Sequence, residues 1–241
     1  MPTSKDVSST LPLHIATPLT LEADRRAVLT GALALTAFSA VGVTLGATTA
    51  RAQDVPIAEL SRSGGLPDVV LGNEDAAVTV IEYASMSCGH CKRFHETVYP
   101  ELKKKYIDTG KIRFIFREFP LDNRAAAASM LARCLEGEKT YSMINVLFET
   151  QEDWAYVRGD PTPKLFEIAK QAGFTEESFN ACLKDETQFK KLLEGRERAG
   201  KVFGVNSTPT FFINGERIQG GAALADFDKV IEPLLAKAKQ G

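Results

Sequence analysis

The tetrapeptide Cys88-Gly89-His90-Cys91 stands where a β-branched run, Ala77-Val78-Thr79-Val80-Ile81-Glu82-Tyr83-Ala84, gives way to a helical pattern. The run reads as a buried strand, and the polar turn Ser85 to Ser87 hands both cysteines to the first turn of a helix. A Cys-x-x-Cys pair can be half of a zinc site, a haem attachment point or a redox dithiol. Haem attachment needs histidine directly after the second cysteine, and residue 92 is lysine. A structural zinc site needs four ligands. After residue 52 the only histidines are His90 and His95, and there is no second Cys-x-x-Cys. The pattern therefore points to a redox dithiol, with no metal and no organic cofactor. The free amides and dipole of the helix start favour a thiolate at Cys88, and His90 and Lys92 add polar or positive character. A stabilised thiolate makes Cys88 a better leaving group and its disulfide more oxidising. Cys91, one turn in, is expected to be more buried and to act as the resolving thiol.

The flanking pattern extends this to a fold. Residues 53–68 form a lead-in, and Val69-Val70-Leu71 makes a short edge strand ending at Gly72. The helix from Cys88 should run to about Tyr106 and close at Gly110, with Pro100 kinking it rather than stopping it. Lys111 to Phe119 alternates, with Ile112, Phe114 and Phe116 on one face and Arg113, Ile115 and Arg117 on the other. Strand, helix and strand make a right-handed βαβ unit. Helical patterns follow at Arg124–Leu135, Tyr141–Thr150, Lys164–Ala172, Glu177–Lys184 and Gln188–Lys201. Strand character returns at Thr210–Ile213. Asn214-Gly215 then signals a type I′ hairpin into Glu216–Gln219, before a closing helix from Leu224 to Lys239. The expected class is α/β, a thioredoxin fold (βαβ + ββα) with an inserted helical subdomain at about 121–203.

The first 52 residues read differently. Arg25-Arg26 precede an uncharged run from Ala27 to Ala50, and Ala50-Arg51-Ala52 makes a small-x-small cleavage site. This is the layout of an export signal peptide cleaved near Ala52. The paired arginines and weak hydrophobicity resemble a twin-arginine signal, although the general secretory route leads to the same compartment. The uncharged run is also long enough for a membrane anchor, but its low hydrophobicity and the cleavage site favour removal. Cleavage leaves 189 residues, 53–241, as one domain with 25 basic and 28 acidic side chains. That balance gives no electrostatic reason to expect nucleic-acid binding.

All four cysteines follow the cleavage site. An even count in an exported chain suggests disulfides. With Cys88 and Cys91 three residues apart, Cys134 and Cys182 are left for each other, on apolar helical faces. They form either a structural disulfide across the helical subdomain, which the compartment favours, or two buried free thiols. Glu82 shares a strand face with Val78 and Val80, where a carboxylate is costly and its pKa should rise. It is read as a proton shuttle beneath the dithiol, against a strand-end carboxylate reaching solvent or pairing with Arg113 or Arg117. Thr208-Pro209 opens the later strand. A cis bond there would be a purposeful feature, and the Thr208 backbone could pair with an extended peptide. Trp154 is read as packing, with a substrate groove as the other option.

With these residues in place, positions from about 69 to 239 resemble the DsbA family of bacterial disulfide oxidoreductases, particularly its alphaproteobacterial members. The resemblance rests on Leu71-Gly72, Glu82-Tyr83-Ala84-Ser85, Cys88-Gly89-His90-Cys91, Arg117-Glu118-Phe119-Pro120-Leu121-Asp122 and Ser207-Thr208-Pro209-Thr210-Phe211-Phe212-Ile213-Asn214-Gly215. It implies an attacking Cys88, its partner Cys91, a buried acid Glu82 and a cis-proline loop at Thr208-Pro209 facing the dithiol. It further implies a periplasmic enzyme acting on unfolded or reduced exported polypeptides, reoxidised by a DsbB-like, quinone-linked membrane protein. Familiar members have proline where this chain has Gly89, and Cys-Gly-His-Cys is the form of protein disulfide isomerases, which are weaker oxidants. The expected activity is protein disulfide formation by a monomer. A reductase or isomerase, or a peptide-binding chaperone without turnover, would use the same scaffold.

Overall fold

The computed structural model describes residues 55–220 and 222–240. The signal-peptide reading of residues 1–52 lies outside the described residues. Among those described, no helix is long and apolar enough to cross a membrane.

After a short helix α1 (Ile57–Leu60), the chain forms β1 (Val69–Gly72) and β2 (Val78–Ala84). Then come α2 (Gly89–Thr97), α3 (Tyr99–Leu102), a π-helical turn at Lys103–Ile107, and β3 (Ile112–Glu118). Six helices follow: α4 (Asn123–Arg133), α5 (Glu138–Glu149), α6 (Gln151–Trp154), α7 (Thr162–Gln171), α8 (Glu176–Leu183) and α9 (Glu186–Phe203). The chain closes with β4 (Thr210–Ile213), β5 (Glu216–Gln219) and α10 (Leu224–Ala238). The sheet order is β1-β3-β2-β4-β5. The β2–β3 pair is parallel, as a crossover through α2 requires, and every other neighbouring pair is antiparallel. This is the thioredoxin arrangement, and helices α4 to α9 lie in sequence between its two halves.

Strand alternation divides the sheet between two cores. Val78, Val80, Phe114, Phe116, Phe211 and Ile213 face a large cluster that includes Phe94 of α2, Phe148 of α5 and Phe227 of α10. Ile81, Tyr83, Ile115 and Phe212 face the other way, onto Ala199 and Phe203 of α9 and Leu60 of α1. The Asn214-Gly215 turn joins β4 to β5 with both φ angles positive, 47° and 99°. That conformation suits asparagine and glycine.

Pro100 does not sit within one long kinked helix. Regular helix ends at Thr97, Val98 departs to φ −109°, and Pro100 stands in the first turn of α3, where its missing N–H costs nothing. The π-helical turn then absorbs the rest of the segment before Gly110. The helical subdomain begins at Asp122, whose carboxylate caps α4 by accepting from Ala125 N–H at 2.8 Å. Cys134, just past α4, and Cys182 of α8 are joined in a disulfide with Cα atoms 6.1 Å apart. Trp154 is fully buried, its indole N–H donating to the Leu147 carbonyl at 2.9 Å, so it packs the subdomain rather than lining a groove.

Candidate active site

The dithiol is built at the end of the central strand. After β2, Ser85 accepts the Cys88 amide at 3.0 Å, and Cys88 takes the N-cap position of α2 with φ −86° and ψ 118°. Its carbonyl accepts the Lys92 amide, starting the helix at 3.0 Å. Helical progression then turns Cys91 inward. Cys88 keeps 8% of its surface and Cys91 none.

Those positions drive the two thiols apart chemically. The Cys88 pKa falls to about 5, chiefly because the Cys91 thiol donates to its sulfur; burial opposes the fall, and Thr208 and the Cys91 and His90 amides assist it. Burial pushes the Cys91 thiol far above the ordinary range, with the hydrogen bond to Cys88 and the nearby Glu82 charge adding to the effect. One sulfur is poised as a thiolate and its neighbour as a thiol. The helix-start amides expected from the sequence contribute, but not the basic side chains. His90 acts through its amide, and its side chain is exposed. Lys92 turns away to Glu152 and Glu96 and to the Glu149 carbonyl.

Opposite the dithiol, the Thr208–Pro209 bond is cis. The Thr208 carbonyl lies 3.4 Å from Cys88 Sγ. Its buried hydroxyl has no hydrogen-bond partner among the described residues, so a thiolate at Cys88 offers it one. The Gly204 cap (φ 64°) ends α9 and starts the loop that carries these residues over the sheet.

Glu82 is completely enclosed on the α2 side of β2. It pairs with neither arginine considered from the sequence. The parallel register sets Glu82 opposite Phe116, leaving Arg113 and Arg117 on the other face of β3. Arg117 instead binds Asp68 twice at 2.8 Å, along with the Tyr83 hydroxyl and the Leu60 carbonyl. Glu82 Oε2 lies 3.0 Å from Nε2 of His95, a buried residue that sequence reasoning had weighed only as a zinc ligand. The available signal was spacing: His95 is four residues after Cys91, on the same helix face.

Two further residues escaped notice because they arrive from the subdomain. Gln151 Nε2 donates to the Met86 and Cys88 carbonyls at 2.7 and 3.2 Å. The Tyr156 hydroxyl reaches the Ser87 carbonyl and Gln151 Oε1, both at 3.1 Å. Ser87 in turn donates to Asp122 at 2.6 Å. Such an arrangement is chemically equipped for thiol–disulfide exchange. Among the described residues, no cluster of histidine, cysteine or acidic side chains could hold a metal.

Residues 66–233 match the family model described as Thioredoxin. The crystal structure of Wolbachia pipientis alpha-DsbA1 is similar with a TM-score of 0.68 and 36% identity, over 72% of this chain and 94% of that one. The chain belongs to the DsbA family. A Rickettsia bellii protein, provisionally named a protein-disulfide oxidoreductase, is 35% identical over 168 residues, 68% of this chain. The match spans only 65% of that relative's length. Disulfide bond formation protein D of Bacillus subtilis is 28% identical over 180 residues, 70% of this chain and 77% of its own. The DsbA assignment agrees with the resemblance read from the motif blocks, and the βαβ + ββα fold agrees with the order of patterns along the chain.

Proposed function

We propose that this DsbA-family chain is a periplasmic thiol–disulfide oxidase that introduces disulfides into exported proteins. The observation that carries this reading is the division between Cys88, with its pKa lowered to about 5, and the fully buried, protonated Cys91. A stabilised thiolate favours the reduced enzyme, so the Cys88–Cys91 disulfide is driven to pass on to a substrate.

In this reading residues 1–52 are an export signal, and the domain from 53 to 241 acts as a monomer on unfolded or reduced polypeptides. A substrate thiolate attacks Cys88 Sγ, the Cys88–Cys91 bond breaks, and Cys91 leaves with the electron pair. A second substrate cysteine attacks the mixed disulfide at the substrate sulfur, releasing Cys88 as its stable thiolate and leaving the substrate oxidised. Thr208 and Pro209 hold the extended substrate beside Cys88, the His90 amide helps to hold the thiolate, and Glu82 exchanges the Cys91 proton. A DsbB-like, quinone-linked membrane oxidase then removes the two electrons. Support comes from the site geometry, the family, and the names of the relatives.

The test is the reduction potential of Cys88–Cys91, measured by equilibration with glutathione buffers. A value between about −120 and about −180 mV is expected for a disulfide donor. A value near about −270 mV, that of thioredoxin, would overturn the oxidase direction in favour of a reductase or isomerase. Absence of exchange, with peptide binding that survives Cys88→Ser/Cys91→Ser, would mark a chaperone instead.

A further inference from the structure

Six large apolar side chains are exposed among the described residues. Four of them, Ile57, Phe189, Leu193 and Val202, lie on α1 and α9. The other two, Leu121 at 51% and Tyr156 at 57%, stand at the turn that carries Cys88. Scattered apolar residues on a surface are ordinary. These two differ because hydrogen bonds tie both of them to the segment that presents the reacting sulfur.

Tyr156 touches the chain on both sides of Cys88. Its hydroxyl lies 3.1 Å from the Ser87 carbonyl, and a Cβ on Gly89 would stand 3.4 Å from the same hydroxyl oxygen. The backbone beneath the ring is held separately. The Arg124 guanidinium donates to the carbonyls of Ala155, Val157 and Gly159 at 2.6, 2.9 and 2.8 Å. An aromatic ring fixed at its tip and at its base loses little conformational freedom when a ligand covers it. Leu121 follows β3, and its amide donates to Ser85 Oγ at 3.2 Å. Asp122 and Arg124, the charged residues beside Leu121 in sequence, are already engaged, Asp122 with Ser87 and the Ala125 amide, Arg124 with the three loop carbonyls.

We infer that Tyr156 and Leu121 form a subsite for a large apolar side chain adjoining the substrate cysteine. The inference deepens the exchange reading above and rests on it. In the mixed disulfide the substrate sulfur is bonded to Cys88 Sγ, so the residues next to the substrate cysteine are held beside the Ser87–Gly89 segment, where Tyr156 stands. Thr208 and Pro209 take the substrate backbone, which every peptide has; Tyr156 and Leu121 add a preference among side chains. Folding buries large apolar residues. The subsite therefore favours cysteines whose apolar neighbours are still exposed, those of an unfolded polypeptide.

The experiment uses the oxidised full chain and short peptides with one cysteine each. The cysteine is flanked by alanines, by phenylalanines, or by alanines with the phenylalanines moved six residues away, roughly 20 Å along an extended chain. The rate at which excess peptide consumes the enzyme disulfide is read by acid quench and mass spectrometry, and divided by that peptide's rate with oxidised glutathione. Wild type should react about tenfold faster with flanking phenylalanines than with alanines. The remote phenylalanines should give the alanine rate. In Tyr156→Ala/Leu121→Ser the ratio should fall towards one, whereas Tyr156→Phe, which keeps the ring, should keep most of it. A general loss of activity cancels in this ratio, so a merely structural role would not move it. A wild-type ratio near one, equal acceleration by remote phenylalanines, or a ratio unchanged in the double variant would overturn the subsite and leave the exchange reading intact. No reaction with any peptide would remove both.

If Tyr156→Ala/Leu121→Ser does not fold, Cys91→Ser protein with Cys88 joined to the phenylalanine-flanked peptide decides the matter. Nuclear Overhauser contacts are expected between the peptide rings and the Tyr156 ring or Leu121 methyls. Their absence would also overturn the subsite.

Discussion

The side-chain amide of Gln151 donates to the carbonyl of Cys88 itself, at 3.2 Å, and to that of Met86 at 2.7 Å. Gln151 belongs to the inserted subdomain and is wholly enclosed. The active-site turn is therefore held from outside the thioredoxin half of the molecule, and the subdomain is part of the site's support.

Removing that brace leaves two buried carbonyls short of a donor and opens a cavity. Gln151→Ala should destabilise the protein by about 2 kcal/mol. A urea unfolding curve checks this; an unchanged midpoint would mean that the turn holds itself.

The lowered Cys88 pKa makes the stability of the reduced protein depend on pH. An unfolded chain carries the Cys88 proton up to its ordinary pKa of about 8.5, whereas the native thiol gives it up at about 5. Between these values the unfolded state binds the extra proton, so stability rises with pH and is lost as pH falls through the folded value. Reduced wild type should gain stability over Cys88→Ser from mildly acidic to neutral pH. Parallel pH profiles for the two proteins would count against a native thiolate.

The Cys134–Cys182 bridge spans 48 residues of sequence. Chain entropy assigns a closed loop of that size about 4 kcal/mol, and strain or residual structure in the unfolded chain reduces it. The Cys134→Ser/Cys182→Ser variant should unfold at clearly lower urea while Cys88 keeps its alkylation rate at neutral pH. A thiol count of two in denatured, unreduced Cys88→Ser/Cys91→Ser protein would show that the bridge does not form in the isolated chain.

Arg117 is 4% exposed and ties Asp68, Tyr83 and Leu60 together across the α9 side of the sheet. Asp68→Ala leaves its guanidinium buried beside a phenol and a carbonyl without a counter-charge, at a cost of about 3 kcal/mol. Replacing both partners, with Arg117→Leu added, should recover part of that loss. A double variant no better than Asp68→Ala would show that Arg117 contributes through its other hydrogen bonds.

Local pattern made much of this site legible. The β-branched run at 78–84, the alternation at 112–118 and the Asn214-Gly215 turn depend on side-chain periodicity and backbone preference, which a short segment carries within itself. The same alternation sets Glu82 on the face opposite Arg113 and Arg117, which excludes a pairing with either arginine. The break at Val98 was not legible, because Pro100 is compatible with either a kink or a new first turn.

The sequence by itself determined the dithiol, its place between strand and helix, the proline loop and the membership of a fold. Each is written in contiguous residues whose preferences act over one or two turns. Only the tertiary structure decided what surrounds the sulfurs. Gln151, Tyr156 and Thr208 lie between 63 and 120 residues from the groups they meet, and such meetings depend on how the insertion packs back onto the sheet. The contrast between Cys88 and Cys91 belongs to the same level. Two identical thiols three residues apart differ because the one at the helix cap accepts a hydrogen bond from its neighbour, and that neighbour is turned into a core that excludes water.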